Sequence, residues 1–272
     1  PKVHQLLRPP TDSLLVRSRR WGLIIILGLA VIPNALAGWF NYVYNRDQIV
    51  DRLQGSQDAF WDIQTAINGT AFPAGMLLLA TICLPVVRAA RGDVTASRHR
   101  AERLRARCLK LGQITALVGT GEWLIAGIAY PLGMYASGVQ MNLHDHLHFL
   151  VSLALCGMIA ASYPFFGITT FAVHNLYPAL LGADDDKLRD NGRLDHCERN
   201  VWFFLAVGFL LPMLAVVLLV TFGSEQSRTA LAVLSAGSLL GCCWLFWAAR
   251  RIQVDLATLR DAVANLGSSD PQ

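Results

Sequence analysis

Six apolar segments constrain this chain more than any other feature. Five of them, 21–43, 70–88, 109–135, 201–223 and 229–249, have ordinary membrane-crossing length. About 20 residues of helix span a bilayer core. No water in that core can bond a backbone N–H or C=O, so the helix, which bonds its own backbone, is the expected form. The sixth segment, 147–181, is too long for one straight crossing. It is expected to span as 147–167 and to continue as a helix past the membrane, with Pro164 marking a kink.

Composition and charge agree. The chain is 54% hydrophobic and 15% charged, against about a quarter charged in soluble domains. With six spans, twenty of the twenty-three Lys and Arg fall on one side. They lie before residue 21, in 88–110, in 182–200 and after residue 249; only Arg46, Arg52 and Arg228 lie opposite. Basic residues mark the cytoplasmic side. Splitting 147–181 into two short spans would invert everything downstream, and this bias argues against it. Interfacial aromatics fit as well, with Trp39, Tyr42, Tyr44, Tyr130 and Tyr135 at the outer level and Trp21, Tyr177, Trp202, Trp244 and Trp247 at the inner. The six cysteines avoid the outer loops, so no exported disulfide framework is expected.

The expected fold is all-α, a polytopic protein of the inner membrane with six transmembrane helices and both termini cytoplasmic. Residues 1–20 form a linker, 21–249 the membrane domain and 250–272 an amphipathic tail. Because the chain opens on Pro1, it reads as part of a longer or processed protein. The outer loop 45–68 places Ile49, Leu53, Phe60, Ile63 and Ile67 at helical spacing. It is expected to extend the first two spans or to lie as an interfacial helix. The basic stretch 88–110 sets topology and attracts anionic lipid headgroups.

In the tail, Ile252, Leu256, Leu259, Val263 and Leu266 are spaced 4, 3, 4 and 3 apart. That is an a/d seam, read either as a parallel homodimer contact or as an amphipathic helix on the membrane. The expected partners are the bilayer and a second copy of the chain. No nucleic acid and no cofactor is expected.

Among candidate chemical groups, Glu122 stands out, near mid-bilayer in the third span. An ionisable residue there is costly and suggests function. Depth matching nominates Asn34 beside Pro33, and Ser162 near Pro164, as a polar cluster with it. Without a cation at that depth, Glu122 is expected protonated or hydrogen-bonded. His144 and His148 share a helix face at i, i+4, a spacing that holds metal in some proteins. Asp145 is close by, but no glutamate, cysteine or fourth ligand accompanies them in the loop, and haem needs histidines facing each other across helices. No metal is expected, and a pH response is the alternative role. Phosphate-loop, G-x-S-x-G, H-E-x-x-H and kinase motifs are absent, so catalysis is not expected within this chain.

"RRWGLIIILGLAVIPNALAGWFNY", "ASYPFFGITTFAVHNLYPALL" and "AARRIQVDLATL" resemble the six-helix membrane modules of bacterial signalling proteins. Two groups share the resemblance: membrane-anchored Ser/Thr kinases, whose module follows the kinase domain, and class III adenylate cyclases, whose module precedes a HAMP linker. Arg251, Ile252, Leu256 and Leu259 look like the opening of a HAMP first helix, although Asp255 stands where HAMP usually has proline. The resemblance implies a non-catalytic sensor or anchor whose output domain, a kinase, precedes Pro1. In that reading kinked helices around Glu122 and Asn34 have two packings, and the tail reports which is populated. The alternative is a small ion-coupled carrier centred on Glu122.

Overall fold

The computed structural model describes residues 13–53, 56–93, 98–180, 187–222 and 228–265. Its elements are α1 (Ser13–Arg20), α2 (Gly22–Gln48), α3 (Ser56–Arg91), α4 (Arg98–Ala136), α5 (Leu143–Phe171), α6 (Tyr177–Leu180), α7 (Lys187–Phe222) and α8 (Arg228–Asn265). A 3-10 turn, Val50–Arg52, lies between α2 and α3, and a π turn, Ala172–Leu176, joins α5 to α6. No strand occurs among the described residues.

Five stretches are long and apolar enough to cross a membrane: Gly22–Arg46, Ser56–Arg91, His99–Ala136, Leu143–Leu180 and Gly192–Val217. The sixth expected span, 229–249, lies within α8. Large apolar side chains, among them Ile32, Leu36, Leu77, Ile125, Leu132, Phe209 and Leu240, stay exposed around the bundle. An apolar surface this extensive marks a membrane or partner contact, and with the span lengths it makes this a membrane protein.

Helix α5 is central, packing on α2, α4, α7 and α8. Its contact with α4 is the most extensive, and small residues make that possible. A Cβ on Gly112 would lie 2.6 Å from the Phe165 carbonyl oxygen, and one on Gly157 would overlap the Trp123 side chain. Lipid tails are as apolar as leucine, so membrane helices associate through this kind of close packing.

Two cores result. At the end away from the termini, Ile49, Val50, Phe60, Tyr130, Met134, Phe149 and Leu153 form one. Tyr130 and Phe149 stack there at 5.8 Å, and the Tyr130 hydroxyl donates to Gln64 Oε1. The 45–68 stretch holds extensions of both flanking helices, as α2 runs to Gln48 and α3 begins at Ser56.

The second core fills the end nearer the termini and extends past the apolar band. Helices α7 and α8, with 36 and 38 residues, measure about 54 and 57 Å at roughly 1.5 Å per residue. The hydrocarbon core is about 30 Å thick. Leu104, Cys108, Leu176, Tyr177, Leu194, Cys197 and Val201 are buried together in this extension.

That extension takes in part of the tail seam. Ile252, Leu256 and Leu259 are buried in the same core, within one chain. Their heptad spacing places them on the side of α8 that faces the bundle, where α8 packs on α7. The Val263 side chain and Leu266 lie outside the described residues.

Pro164 sits buried inside α5, and the backbone departs from α geometry further on, at 172–176. Pro178 lies just beyond. Its ring crowds the carbonyl four residues back and it has no N–H to donate. The neighbouring Tyr177 N–H reaches five residues back, to the Ala172 carbonyl. The 143–180 segment thus remains one continuous helical rod, as 147–181 was read.

Candidate functional site

Glu122 projects from the middle of α4 toward α3, where Gly75 makes room for it. A Cβ on Gly75 would overlap Glu122 Oε1 and lie 2.5 Å from Cδ. Oε1 is buried and has no hydrogen-bond partner among the described residues. Leaving a carboxyl oxygen unbonded in an apolar interior costs several kcal/mol when the group is charged, less when it is neutral. Chemically the arrangement suits a group that holds a proton or meets a cation.

The adjacent Trp123 turns to α2. Its Nε1 donates to Asn34 Oδ1 at 2.7 Å, and Asn34 Nδ2 donates to the Ala30 carbonyl at 2.8 Å. Gly119, one turn earlier, lies beneath the same amide. Asn34 therefore meets α4 one residue from Glu122, at the α2–α4 contact, while Glu122 lies at the α3–α4 contact. Ser162 is elsewhere. Fully buried on α5, it donates to the Met158 carbonyl at 3.2 Å and packs against Gly208 of α7. The three nominated residues thus occupy three helix contacts.

The histidines lie at the far end. Their rings, His144 and His148, are 6.3 Å apart, and His148 stacks on Tyr44 of α2 at 5.4 Å. Asp145 is engaged as a cap: its backbone N–H donates to Asn142 Oδ1 at 2.9 Å, and its Oδ2 accepts from the Asn142 N–H at 3.2 Å. This capping box starts α5. Among the described residues no group of three or more His, Cys, Asp and Glu is placed to hold a metal.

A third polar site, at the π turn, was not anticipated. His174 Nδ1 lies 3.4 Å from Asp255 Oδ2, and Arg251 Nε lies 3.6 Å from the same oxygen. On the other side, Arg19 Nε donates to the Asn175 carbonyl at 2.8 Å and the Ser18 hydroxyl donates to Asn175 Oδ1 at 3.2 Å. Burial pulls the Arg19 guanidinium below its ordinary value. Arg91 of α3 in turn donates to the Arg19 carbonyl at 3.0 Å and to the Arg20 carbonyl. One short, irregular segment therefore holds both the incoming α1 and the outgoing tail of α8. π turns frequently coincide with functional positions.

Further along the tail, Arg260 Nη2 reaches Asp195 and Glu198 of α7, each at 2.6 Å. The hydrogen bond to Glu198 leads the interactions that hold this guanidinium above its ordinary value. The sequence signal for this end was an unusual pair: His174-Asn175 inside a long apolar segment, and the acid Asp255 one turn after Arg251.

No family model, curated protein or solved structure matches this chain.

Proposed function

We propose that this chain is the non-catalytic membrane sensor or anchor of a bacterial signalling protein. In this reading α8 supplies a sixth span, both termini are cytoplasmic, and the module sits in the inner membrane. Its basic inner loop rests on anionic lipids. A Ser/Thr kinase domain precedes Pro1. The supporting observation is the π turn, bonded at once to α1 through Asn175 and to the α8 tail through His174. A change in how α5 packs would move both chain ends together, which is what a relay across the membrane requires. Ligand-driven relay needs different affinities for two packings. A homodimer, if it is part of the relay, uses a surface other than Ile252, Leu256 and Leu259.

The test is the reading frame ahead of Pro1 together with phosphorylation by the full-length protein. An in-frame kinase domain, with autophosphorylation altered by His174→Ala, is the expected result. A start codon at or just before Pro1 would sink the kinase reading.

One observation favours a second reading, the ion-coupled carrier: Glu122 Oε1 is buried without a hydrogen-bond partner among the described residues. It predicts ion flux in proteoliposomes that disappears in Glu122→Gln. Absence of flux with every common monovalent cation and with protons leaves the signalling reading standing.

A further inference from the structure

The end of the bundle farthest from the termini carries a cavity of about 360 Å³, lined by Tyr42, Arg46, Val50, Asp51, Gln57, Phe60 and Trp61. Small-molecule sites fall in the range of roughly 300–1,000 Å³.

The walls come from three elements with different tasks. Tyr42 and Arg46, one turn apart, present the end of α2. Gln57, Phe60 and Trp61 present one face of the first turns of α3. The 3-10 turn contributes Val50 and Asp51. This linking turn is held firmly. Ile49, Val50 and Ser56 are buried, and the Ser56 hydroxyl bonds the carbonyls of Val50 and Leu53, each at 2.7 Å. Phe60 belongs to the core beneath, so the floor is fixed as well.

The chemistry of the lining is mixed in a specific way. Tyr42 stacks on Phe60 at 5.7 Å and meets Trp61 edge-on at 6.1 Å, which makes an aromatic corner. Aromatic faces attract cations, ammonium groups above all. Gln57 Nε2 donates to Asp51 Oδ1 at 3.3 Å and so orients that carboxylate, leaving Oδ2 as an acceptor for an ammonium. Arg46 supplies the opposite charge, and a guanidinium is suited to the paired oxygens of a carboxylate or phosphate.

We infer that this cavity binds a small zwitterion, with its ammonium against Asp51 and the Tyr42–Trp61 corner and its oxyanion on Arg46. A zwitterion uses the lining most fully, since Arg46 and Asp51 place opposite charges on the cavity walls. Two sources carry this chemistry: a free amino acid, and the ethanolamine phosphate headgroup of a lipid. In the signalling reading, on which its biological meaning rests, the site takes up the signal on the outer side. Binding itself is measured without any output domain, so the two ideas fail separately.

The experiment uses the full chain in nanodiscs of phosphatidylglycerol alone, with thermal unfolding and tryptophan fluorescence as readouts. The free probes are the common L-amino acids, glycine betaine and phosphoethanolamine, and the lipid arm replaces part of the phosphatidylglycerol with phosphatidylethanolamine. A saturable rise in Tm from one free probe, lost at least tenfold in affinity in Arg46→Gln and Asp51→Asn, supports a soluble zwitterion. A rise only in the phosphatidylethanolamine discs, lost in the same variants, supports the headgroup. Arg46, Asp51 and Trp61 are all exposed, so their variants are expected to fold. Trp61→Phe provides an independent check, since the ligand-dependent fluorescence change should vanish although six other tryptophans remain. No saturable response in either arm, or a response that survives both charge variants, overturns the inference.

Discussion

Substituting Gly75 by alanine tests whether the close approach of α3 and α4 is built around Glu122. The new Cβ would overlap Glu122 Oε1, lie 2.5 Å from Cδ and 3.4 Å from Cγ. The last distance is ordinary contact, so the conflict is confined to the carboxyl group. Two relaxations are open. If the carboxyl stays, the helices must part, and overpacking of this kind costs about 1–3 kcal/mol. If it swings toward lipid, an ionised side chain near the bilayer centre costs about 3 kcal/mol. Either way Gly75→Ala loses roughly 1–3 kcal/mol. In a Glu122→Ala background all three of these atoms are gone, the two conflicting ones among them. Alanine is also the better helix former, by about 1 kcal/mol in water. There the same substitution should be neutral or mildly stabilising. The double-mutant cycle is therefore expected to return a coupling of about 1–3 kcal/mol, read by equilibrium unfolding in mixed micelles. Additive costs, with coupling below about 0.5 kcal/mol, would refute the idea that Gly75 exists to seat this carboxyl.

Three further outcomes follow from the packing. Leu256→Ala should cost about 2–5 kcal/mol and speed amide exchange across 250–261. Were Leu256 part of a dimer seam, truncation would instead lower the dimer fraction in light scattering and leave monomer unfolding unchanged. Trp123→Phe removes the donor to Asn34 Oδ1 in a buried contact, a loss of about 1–3 kcal/mol. Adding Asn34→Leu should recover part of it, and no recovery would mean the indole acts by shape alone. Arg260→Gln breaks two contacts that are partly exposed, so its cost should stay near or below 1 kcal/mol. Its signature is faster exchange in the tail that high salt reproduces in the unaltered protein; salt-independent exchange would contradict this.

Part of the site was legible in advance. Glu122 was identifiable because a charge at that depth is improbable without a reason, and Asn34 because a polar residue beside Pro33 marks an irregular place. Depth could not say which helix each residue faces. A rotation of about 100° per residue separates Glu122, which meets α3, from Trp123, which meets α2. Ser162, nominated at the same depth, meets α7. The π-turn cluster was illegible for a related reason. Ser18, Arg19, His174, Asn175 and Asp255 lie far apart in sequence, and only the packed rod beside α1 and α8 brings them together.

The sequence by itself determined that this chain is helical and membrane-embedded, that five of its segments are apolar enough to cross, and where along the chain the positive charge lies. These follow from transfer energies that add along the chain and need no knowledge of neighbours. Only the tertiary structure decided that Ile252, Leu256 and Leu259 are buried within their own chain, that a π turn precedes Pro178, and that Gly75 receives Glu122. In a bilayer every apolar face finds lipid as acceptable as another helix. Pairing is therefore set by glycine clearances and single hydrogen bonds, and each of those exists only once its partner helix is in place.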